Sequence, residues 1–337
     1  MKKVAILPRP GVFDTSLAVT LDILSSAQRI HDEFCGGIVE VQVSLVGHGS
    51  DYVETGAGLQ TPRLSAVGDV VAPDFVILPG LGINDSELLL KTLEDSNTLS
   101  VIDALKRFYY LGATLATSCS GTFLFAEAGL FGDSEATTSW WLADAFSKRY
   151  PDVTLRADQI LLVQDRLICA GAAFAQADLM MVIIGRLYGE ETARMTAHYL
   201  LIDRRELQSR YVHSAMLTRR HPEMEKVERW IRRHLAENFT IVDLANGVGL
   251  SPRTLARRTN SAVGKAPLQF VRQLRLEHTI HMLETTNRSF EAIADDVGYQ
   301  NSSSLRRLVF KSTGKRPSDF RRSFSHTVYP AQVLGAN

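Results

Sequence analysis

The chain has 337 residues, more than one ordinary domain needs and suited to two. Its 45% hydrophobic and 22% charged residues exclude a disordered chain, a collagen-like repeat and a disulfide-stapled miniature. The net charge of zero hides an asymmetry: residues 1–218 hold 17 Lys/Arg against 26 Asp/Glu, net −9, and residues 219–337 hold 20 against 11, net +9. A basic half joined to an acidic one suggests that only the second meets a polyanion. No run reaches the roughly 18 consecutive apolar residues of a membrane span. The opening MKKVAILPRP is too poor in apolar residues for a secretion signal, so a cytoplasmic protein with no membrane partner is expected. Cys35, Cys119 and Cys169 show no CxxC spacing and are expected as free thiols, with no metal and no cofactor.

In chain order, Val4–Pro8 reads as a short apolar strand, Leu17–His31 as a helix and Val39–Gly47 as an alternating strand. Asp74–Pro79 reads as a buried strand meeting a loop at Pro79-Gly80. Asn97–Tyr110 predicts a helix, Ala113–Ser118 a second buried strand and Thr122–Ala128 a further helix. Leu155–Gln164 and Arg166–Cys169 suggest a hairpin turning at Asp165, and Ala173–Tyr188 a closing helix. Strands alternating with helices predict an open, mainly parallel α/β sheet with helices on both faces, binding ligands at the carboxyl ends of its strands.

Cys119 follows a buried strand directly, and Ser120-Gly121 opens a helix. A cysteine there stands on an elbow, a strained turn that lifts the side chain into a pocket. The helix amino end is expected to lower the thiol pKa and favour thiolate. The alternative is a buried structural cysteine.

Residues 206–222 are polar and basic and read as a linker ending at Pro222. Glu223–Asn238 predicts the first helix of the basic half, and an internal repeat follows. LANGVGLSPRTLARRTNSAVGKAPLQFVR (244–272) aligns with IADDVGYQNSSSLRRLVFKSTGKRPSDFRR (293–322). Each copy has a short helix ending at Val-Gly, then a helix rich in Arg, Ser and Thr that runs to Gly264 or Gly314. Ser251 caps the first basic helix with Pro252 in its first turn, and Asn301 or Ser302 caps the second. Helix, glycine turn and basic helix make a helix-turn-helix, whose second helix fits a major groove about 12 Å wide.

These residues resemble the AraC/XylS DNA-binding domain, which joins two helix-turn-helix motifs by a long helix, here Leu268–Glu284. The resemblance covers about 223–325 and leaves 326–337 as a tail; GKRPSDFRRSF is similar to the close of that family's signature. It implies groove-facing positions at Arg253, Thr254 and Arg257 in the first unit and at Ser302, Ser303, Arg306 and Arg307 in the second. Thr259 departs from the family, which usually has an aromatic core residue there; Val309 holds the equivalent second site, and looser packing of the first unit is expected. The implied partners are double-stranded promoter DNA, RNA polymerase and a second copy of the chain.

ATSCSGTFLFAEAGL (116–130) with ATTSWW (136–141) resembles the ThiJ/PfpI superfamily, the class I glutamine-amidotransferase-like fold. LPGLG (78–82) is similar to that family's glycine loop, whose backbone amides face the cysteine. The resemblance covers about 1–190 and implies a flavodoxin-like domain, here taken as 1–205; its fusion to an AraC/XylS domain resembles the GlxA-like branch of transcription regulators, activators among them.

In hydrolytic members a histidine follows the Thr-Thr pair, but Thr137-Thr138 is followed here by Ser139 and Trp140. The family's acidic position falls on Ser16, with Asp14 and Asp22 as nearby carboxylates, and His48 is the imidazole that another loop could supply. A thiol without its base binds without turnover. The expected pocket is lined by Phe13, Asp14, Gly80, Leu81, Cys119, Ser120, Ser139 and Trp140. Trp140 and Phe13 suit a small apolar or cationic group, and Asp14 suits an amine. The analogy suggests an amino acid or quaternary amine as effector. A regulator with a non-catalytic sensor is therefore expected, against two alternatives: a thiol hydrolase tethered to DNA, or a redox sensor, both using Cys119.

Overall fold

The computed structural model describes residues 1–321, except 37–38, 48–50, 63, 84, 206, 212–217 and 219–221. His48, Arg322 and the tail 326–337 lie outside the described residues. The chain divides into two compact units, Met1–Gln208 and Ser209–Asn337.

In the first unit the described strands are β1 (Lys2–Ile6), β2 (Val41–Gly47), β3 (Ser65–Ala66), β4 (Phe75–Leu78), β5 (Thr114–Ser118), β6 (Glu135–Ala136), β7 (Thr154–Leu155), β8 (Leu161–Gln164) and β9 (Leu167–Ala170). Among the described residues the main sheet has the order β3-β2-β1-β4-β5-β9-β8. All of its neighbours are parallel except the terminal β8–β9 hairpin. The register sets Val4 opposite Phe75, Ile77 opposite Ala116 and Thr117 opposite Cys169. The two central strands β4 and β5 are almost wholly buried, as a parallel sheet covered on both faces requires.

The helices are α1 (Asp14–Ile30), α2 (Ser86–Thr92), α3 (Ser96–Tyr110), α4 (Thr122–Glu127), α5 (Ala143–Arg149), α6 (Gln176–Tyr188) and α7 (Glu190–Tyr199). One face of the sheet packs a core of Leu105, Phe108, Phe123 and Phe146 from α3, α4 and α5. The other packs Ile23, Leu24, Ile183 and Ile184 from α1 and α6. The unit is a flavodoxin-like open sheet with helices on both faces.

Several elements differ from the sequence reading. The arm expected over Leu155–Gln164 is broken: β7 pairs with β6, and only β8 pairs with β9. The break falls at Asp158-Gln159, whose carbonyls accept from Gln208 instead of a strand. Asp165 does turn the hairpin, with φ +27°. Helix α1 starts at Asp14, because a first turn needs no apolar residue to form. Helices α2, α5 and α7 were not foreseen; α2 is fixed by Asp85, whose carboxylate accepts from the Leu88 N–H at 2.9 Å.

The second unit holds α8 (Pro222–Arg233), α9 (Ile241–Gly247), α10 (Pro252–Val263), α11 (Pro267–Thr285), α12 (Phe290–Asp296) and α13 (Ser302–Thr313). The caps follow the grammar of the repeat. Thr240 and Asp243 form a capping box for α9, and Ser251 caps α10 with Pro252 at its start. Ser289 caps α12, and Asn301, not Ser302, caps α13. Both basic helices end at a left-handed glycine, Gly264 at φ +63° and Gly314 at φ +68°. Helix α8 stops at Arg233, short of the expected Asn238.

Each repeat closes its own core. Leu244, Leu255, Phe270 and Leu274 pack with α8 in one, and Leu276, Ile293, Leu305, Val309 and Phe320 pack in the other. Helix α11 contributes to both, so one rigid helix carries the two helix-turn-helix motifs. Thr259 is fully buried, and its hydroxyl donates to the Leu255 carbonyl at 2.8 Å. The position is thus filled and its polar atom satisfied.

Candidate functional site

The elbow forms where the sheet hands over to α4. Cys119 takes φ +57°, a left-handed conformation that a non-glycine residue adopts only under constraint. A single short turn, Cys119–Gly121, links β5 to α4. Gly121 is required by space: a Cβ there would stand 2.1 Å from Thr117 Oγ1. Gly80 is required by approach, since its Cβ would stand 3.0 Å from Cys119 Cβ and 3.1 Å from the Ser118 carbonyl. The glycine loop therefore lies directly on the cysteine.

The structure corrects the expected thiolate. Cys119 is only 4% exposed. Burial pushes its thiol up, against hydrogen bonds from Ser139, Ser120 and the Ala173 backbone that pull down. The Ser139 hydroxyl donates to Sγ at 2.8 Å, where an imidazole would be needed to remove the proton. The thiol is therefore protonated at neutral pH, and the short helix α4 does not reverse that. Cys169 is likewise pushed up, to about 12, by burial. Both thiols hold protons more tightly folded than unfolded. Their stabilising contribution is whole below the ordinary thiol value of about 8.5 and is lost as pH rises from there. At pH 7.5 iodoacetamide is expected to label Cys119 at least tenfold more slowly in the folded chain than in urea; equal rates would refute a closed, protonated elbow.

The donors of the glycine loop are also engaged. The Leu81 N–H donates to Ser120 Oγ at 3.0 Å, and the same hydroxyl donates back to the Leu81 carbonyl at 3.1 Å. The Gly82 N–H donates to the Gly11 carbonyl at 2.8 Å. An oxyanion hole needs donors aimed at the developing charge and free to receive it; these two are occupied.

The eight expected lining residues differ in exposure. Gly80, Leu81, Cys119, Ser120 and Ser139 are buried, and Phe13, Asp14 and Trp140 are half-buried. Phe13 precedes α1 and donates its N–H to the Gly80 carbonyl at 2.9 Å. Asp14 accepts from the Thr55 hydroxyl and from the Ala57 N–H, and those bonds hold its carboxyl below the usual range. It fixes a loop instead of presenting a free carboxylate to an amine. Trp140 packs edge-on against Trp141, ring centroids 5.3 Å apart. Ser16, at the family's acidic position, is fully buried with its hydroxyl 3.3 Å from the Ala173 carbonyl.

Sequence reasoning missed the support beneath the elbow. Thr138 Oγ1 donates to the Cys119 carbonyl at 2.8 Å. The Thr138 carbonyl accepts from Gln208 Nε2 at 2.9 Å, and the same amide donates to the Gln159 carbonyl at 2.8 Å. Gln208 was read as linker, yet it is buried in the first unit, and Leu207 bridges to Gln159. Gly171 makes room for it, since a Cβ there would stand 1.8 Å from Gln208 Nε2. No periodicity in the polar stretch 206–222 signals this anchor.

In the second unit α10 and α13 each bury one stripe, Leu255/Thr259/Val263 and Leu305/Val309/Thr313. The opposite stripes are exposed and correspond at a spacing of 50: Arg253 with Ser303, Ala256 with Arg306, Arg257 with Arg307 and Asn260 with Phe310. Arg253, Arg257 and Arg307 make no hydrogen bond or ion pair with other described residues. Arg306 is engaged within the unit, over the Phe290 ring at 4.8 Å and 3.8 Å from Glu291. Thr254 is partly committed to the cap, its hydroxyl 2.8 Å from Ser251 Oγ. Ser302 is half-buried in the first turn of α13. Phe310, 56% exposed, stands on the same outward stripe and was not foreseen. Its match with Asn260 was the available signal, and an exposed phenyl can contact a thymine methyl.

Residues 244–323 match the profile of the helix-turn-helix domain family. The chain is 26% identical over 238 residues to the HTH-type transcriptional regulator ArgR of Pseudomonas aeruginosa, covering 68% of this chain and 72% of that protein. It is 26% identical over 225 residues to the HTH-type transcriptional regulator GlxA of Rhizobium meliloti, covering 65% and 68%. A crystal structure of an AraC family transcriptional regulator from Pseudomonas putida aligns at TM-score 0.50 and 16% identity, over 59% of this chain and 100% of that one. At that identity the likeness is one of fold. Among the described residues no helix is long and apolar enough to cross a membrane.

Proposed function

We propose that the chain is a sequence-specific DNA-binding transcription regulator whose α/β unit senses a small effector without turnover. The basic repeat supports the first part: two capped helices of AraC type present unengaged arginines at Arg253, Arg257 and Arg307 on outward stripes. The reading of the α/β unit rests on one observation above all, the hydroxyl of Ser139 on Cys119 Sγ at 2.8 Å. A hydroxyl there neither takes the thiol proton nor returns one to a leaving group at neutral pH. The engaged Leu81 and Gly82 amides work in the same direction. Among the described residues the hydrolase reading finds no base on Cys119 Sγ and no free Leu81 or Gly82 donor, and the redox reading needs an accessible thiolate, against which the burial of the elbow speaks.

A chain of hydrogen bonds supports a route for signalling. Cys119 bonds to Thr138, Thr138 to Gln208, and Gln208 is the last residue of the first unit. A change in the elbow therefore reaches the point where the chain leaves that unit. We take two copies of the chain as the binding species, since paired DNA-binding units raise the effective concentration of contacts. An effector then acts by its differential affinity for two arrangements of those units.

DNA footprinting, with and without a panel of amino acids, amines and carboxylates, tests the reading on wild type and Cys119→Ser side by side. The expected result is a discrete protected site, altered by one ligand and retained by the mutant. A ligand response lost in the mutant, or turnover of any ester or amide that the mutant lacks, would overturn the non-catalytic sensor.

A further inference from the structure

A second polar feature lies away from the elbow and is unused by anything described so far. Arg9 follows β1 between Pro8 and Pro10, whose rings restrict the chain on either side. It is 6% exposed. Its Nη1 donates to the Asn97 carbonyl at 3.0 Å and its Nη2 to the Thr98 hydroxyl at 2.8 Å, while Nε is buried with no acceptor. Both acceptors are neutral, and among the described residues no carboxylate lies within ion-pair distance. Asp95, whose charge acts on it, caps α3 through the Asn97 N–H at 3.1 Å. A buried cation without a counter-charge is costly, and a structure retains one where a ligand supplies the charge.

The surroundings fit that use. Arg9 lines a cavity of about 100 Å³ with Leu7, Val46, Val53, Val67 and Val101. The cavity opens beyond the carboxyl ends of β1 and β2, where open α/β sheets bind ligands. The first turns of α3, a helix of 15 residues, contribute Asn97 and Val101, so the positive end of its dipole adds to the field. None of the eight residues expected around Cys119 lines this cavity. The volume is that of roughly three waters, enough for a carboxylate and one or two further carbons. The walls are aliphatic, which favours a group with an apolar body over a fully hydrated inorganic anion.

We propose that this cavity is a binding site for a short monocarboxylate, its charge met by Arg9 and its aliphatic end by the valines. The inference rests on the reading of the α/β unit as a ligand-binding unit and adds both the place and the chemical class.

The test is calorimetric titration of the full chain, without DNA, with acetate, glycolate and propionate. Acetamide, propionamide, inorganic phosphate and sulfate run as separate arms. At least one carboxylate is expected to bind tenfold or more tightly than its amide and than either inorganic anion. Arg9→Gln is expected to lower that affinity at least tenfold, and Val101→Phe, which fills the cavity and leaves the charge, to do the same. Equal binding of amide and carboxylate, preference for phosphate, no carboxylate binding at millimolar concentration, or full affinity in either folded variant would overturn the site. Where a variant does not fold, the wild-type contrast between carboxylate and amide decides. A footprint that still responds to another ligand would then separate failure of this site from failure of the sensor reading.

Discussion

Replacing Arg257 and Arg307 together by alanine is expected to weaken binding to a mapped DNA site by about 2–6 kcal/mol, on the order of 30-fold to 10⁴-fold. Each is an exposed arginine at the equivalent position of its repeat, and neither has an intramolecular partner among the described residues. An arginine with no partner in the free protein gives up only water when it meets a guanine, so most of its contact energy is realised on binding. Each good bidentate pair carries about 1–3 kcal/mol of discrimination. The single variants should each relax one base position, and the two positions should lie on different half-turns of the site, because α10 and α13 belong to separate cores on α11. Arg306→Ala is the contrast. Its guanidinium already rests on Phe290 and faces Glu291, so DNA must compete with those contacts and the loss should be smaller. Gel-shift titration at fixed salt reads all four proteins. If the double variant binds its site within threefold of wild type, these helices do not read the groove by these residues.

Gly121→Ala should be the most damaging small change in the α/β unit, costing about 3 kcal/mol or more. The added methyl would overlap Thr117 Oγ1, which donates to the Leu78 carbonyl at 2.8 Å inside a fully buried strand pair. Relief by rotating Thr117 breaks that hydrogen bond and strands a buried carbonyl, at about 1–3 kcal/mol. Relief by moving the backbone lifts α4 off the sheet, at an overpacking cost of about 1–3 kcal/mol. Thr117→Ala in the same chain removes the colliding atom, so the two substitutions together should destabilise less than their separate costs added. Urea unfolding measures the cycle. Strict additivity, or a Gly121→Ala chain as stable as wild type, would show that the elbow is not sterically closed.

How much of this was legible in the residues follows from how local each cause is. The repeat, its caps and its glycine ends were readable because Ser251, Asn301, Gly264 and Gly314 act within one helix turn. The elbow was readable for the same reason: a strand, a cysteine and Ser-Gly before a helix are contiguous. Its chemistry was not. The direction of the Cys119 pKa depends on burial beneath Gly80 and on Ser139, 20 residues away, and no local pattern reports either. Asp14 looked available because its partners, Thr55 and Ala57, come from a loop with no periodic signature. Arg9 entered the reading only as part of an opening unsuited to a secretion signal, although Pro-Arg-Pro after a buried strand is an uncommon place for a cation. Helix α5 was missed because its seven residues include Asp144, Lys148 and Arg149 and bury only Phe146.

The anchor at Gln208 bears on how such two-unit proteins can be recombined. The first unit does not end with its last helix: its closing side chain arrives nine residues after Tyr199 and fills a slot that Gly171 leaves open. A chimera that joins this α/β unit, cut at residue 205, to a foreign DNA-binding unit would carry no glutamine for that slot. It would leave the Thr138 and Gln159 carbonyls without the amide they share. A cut after 208 keeps the plug with its socket. The natural seam for exchange of parts therefore lies three residues further along than composition suggests, and domain shuffling that respected only the linker's polarity would yield sensors with a loose floor.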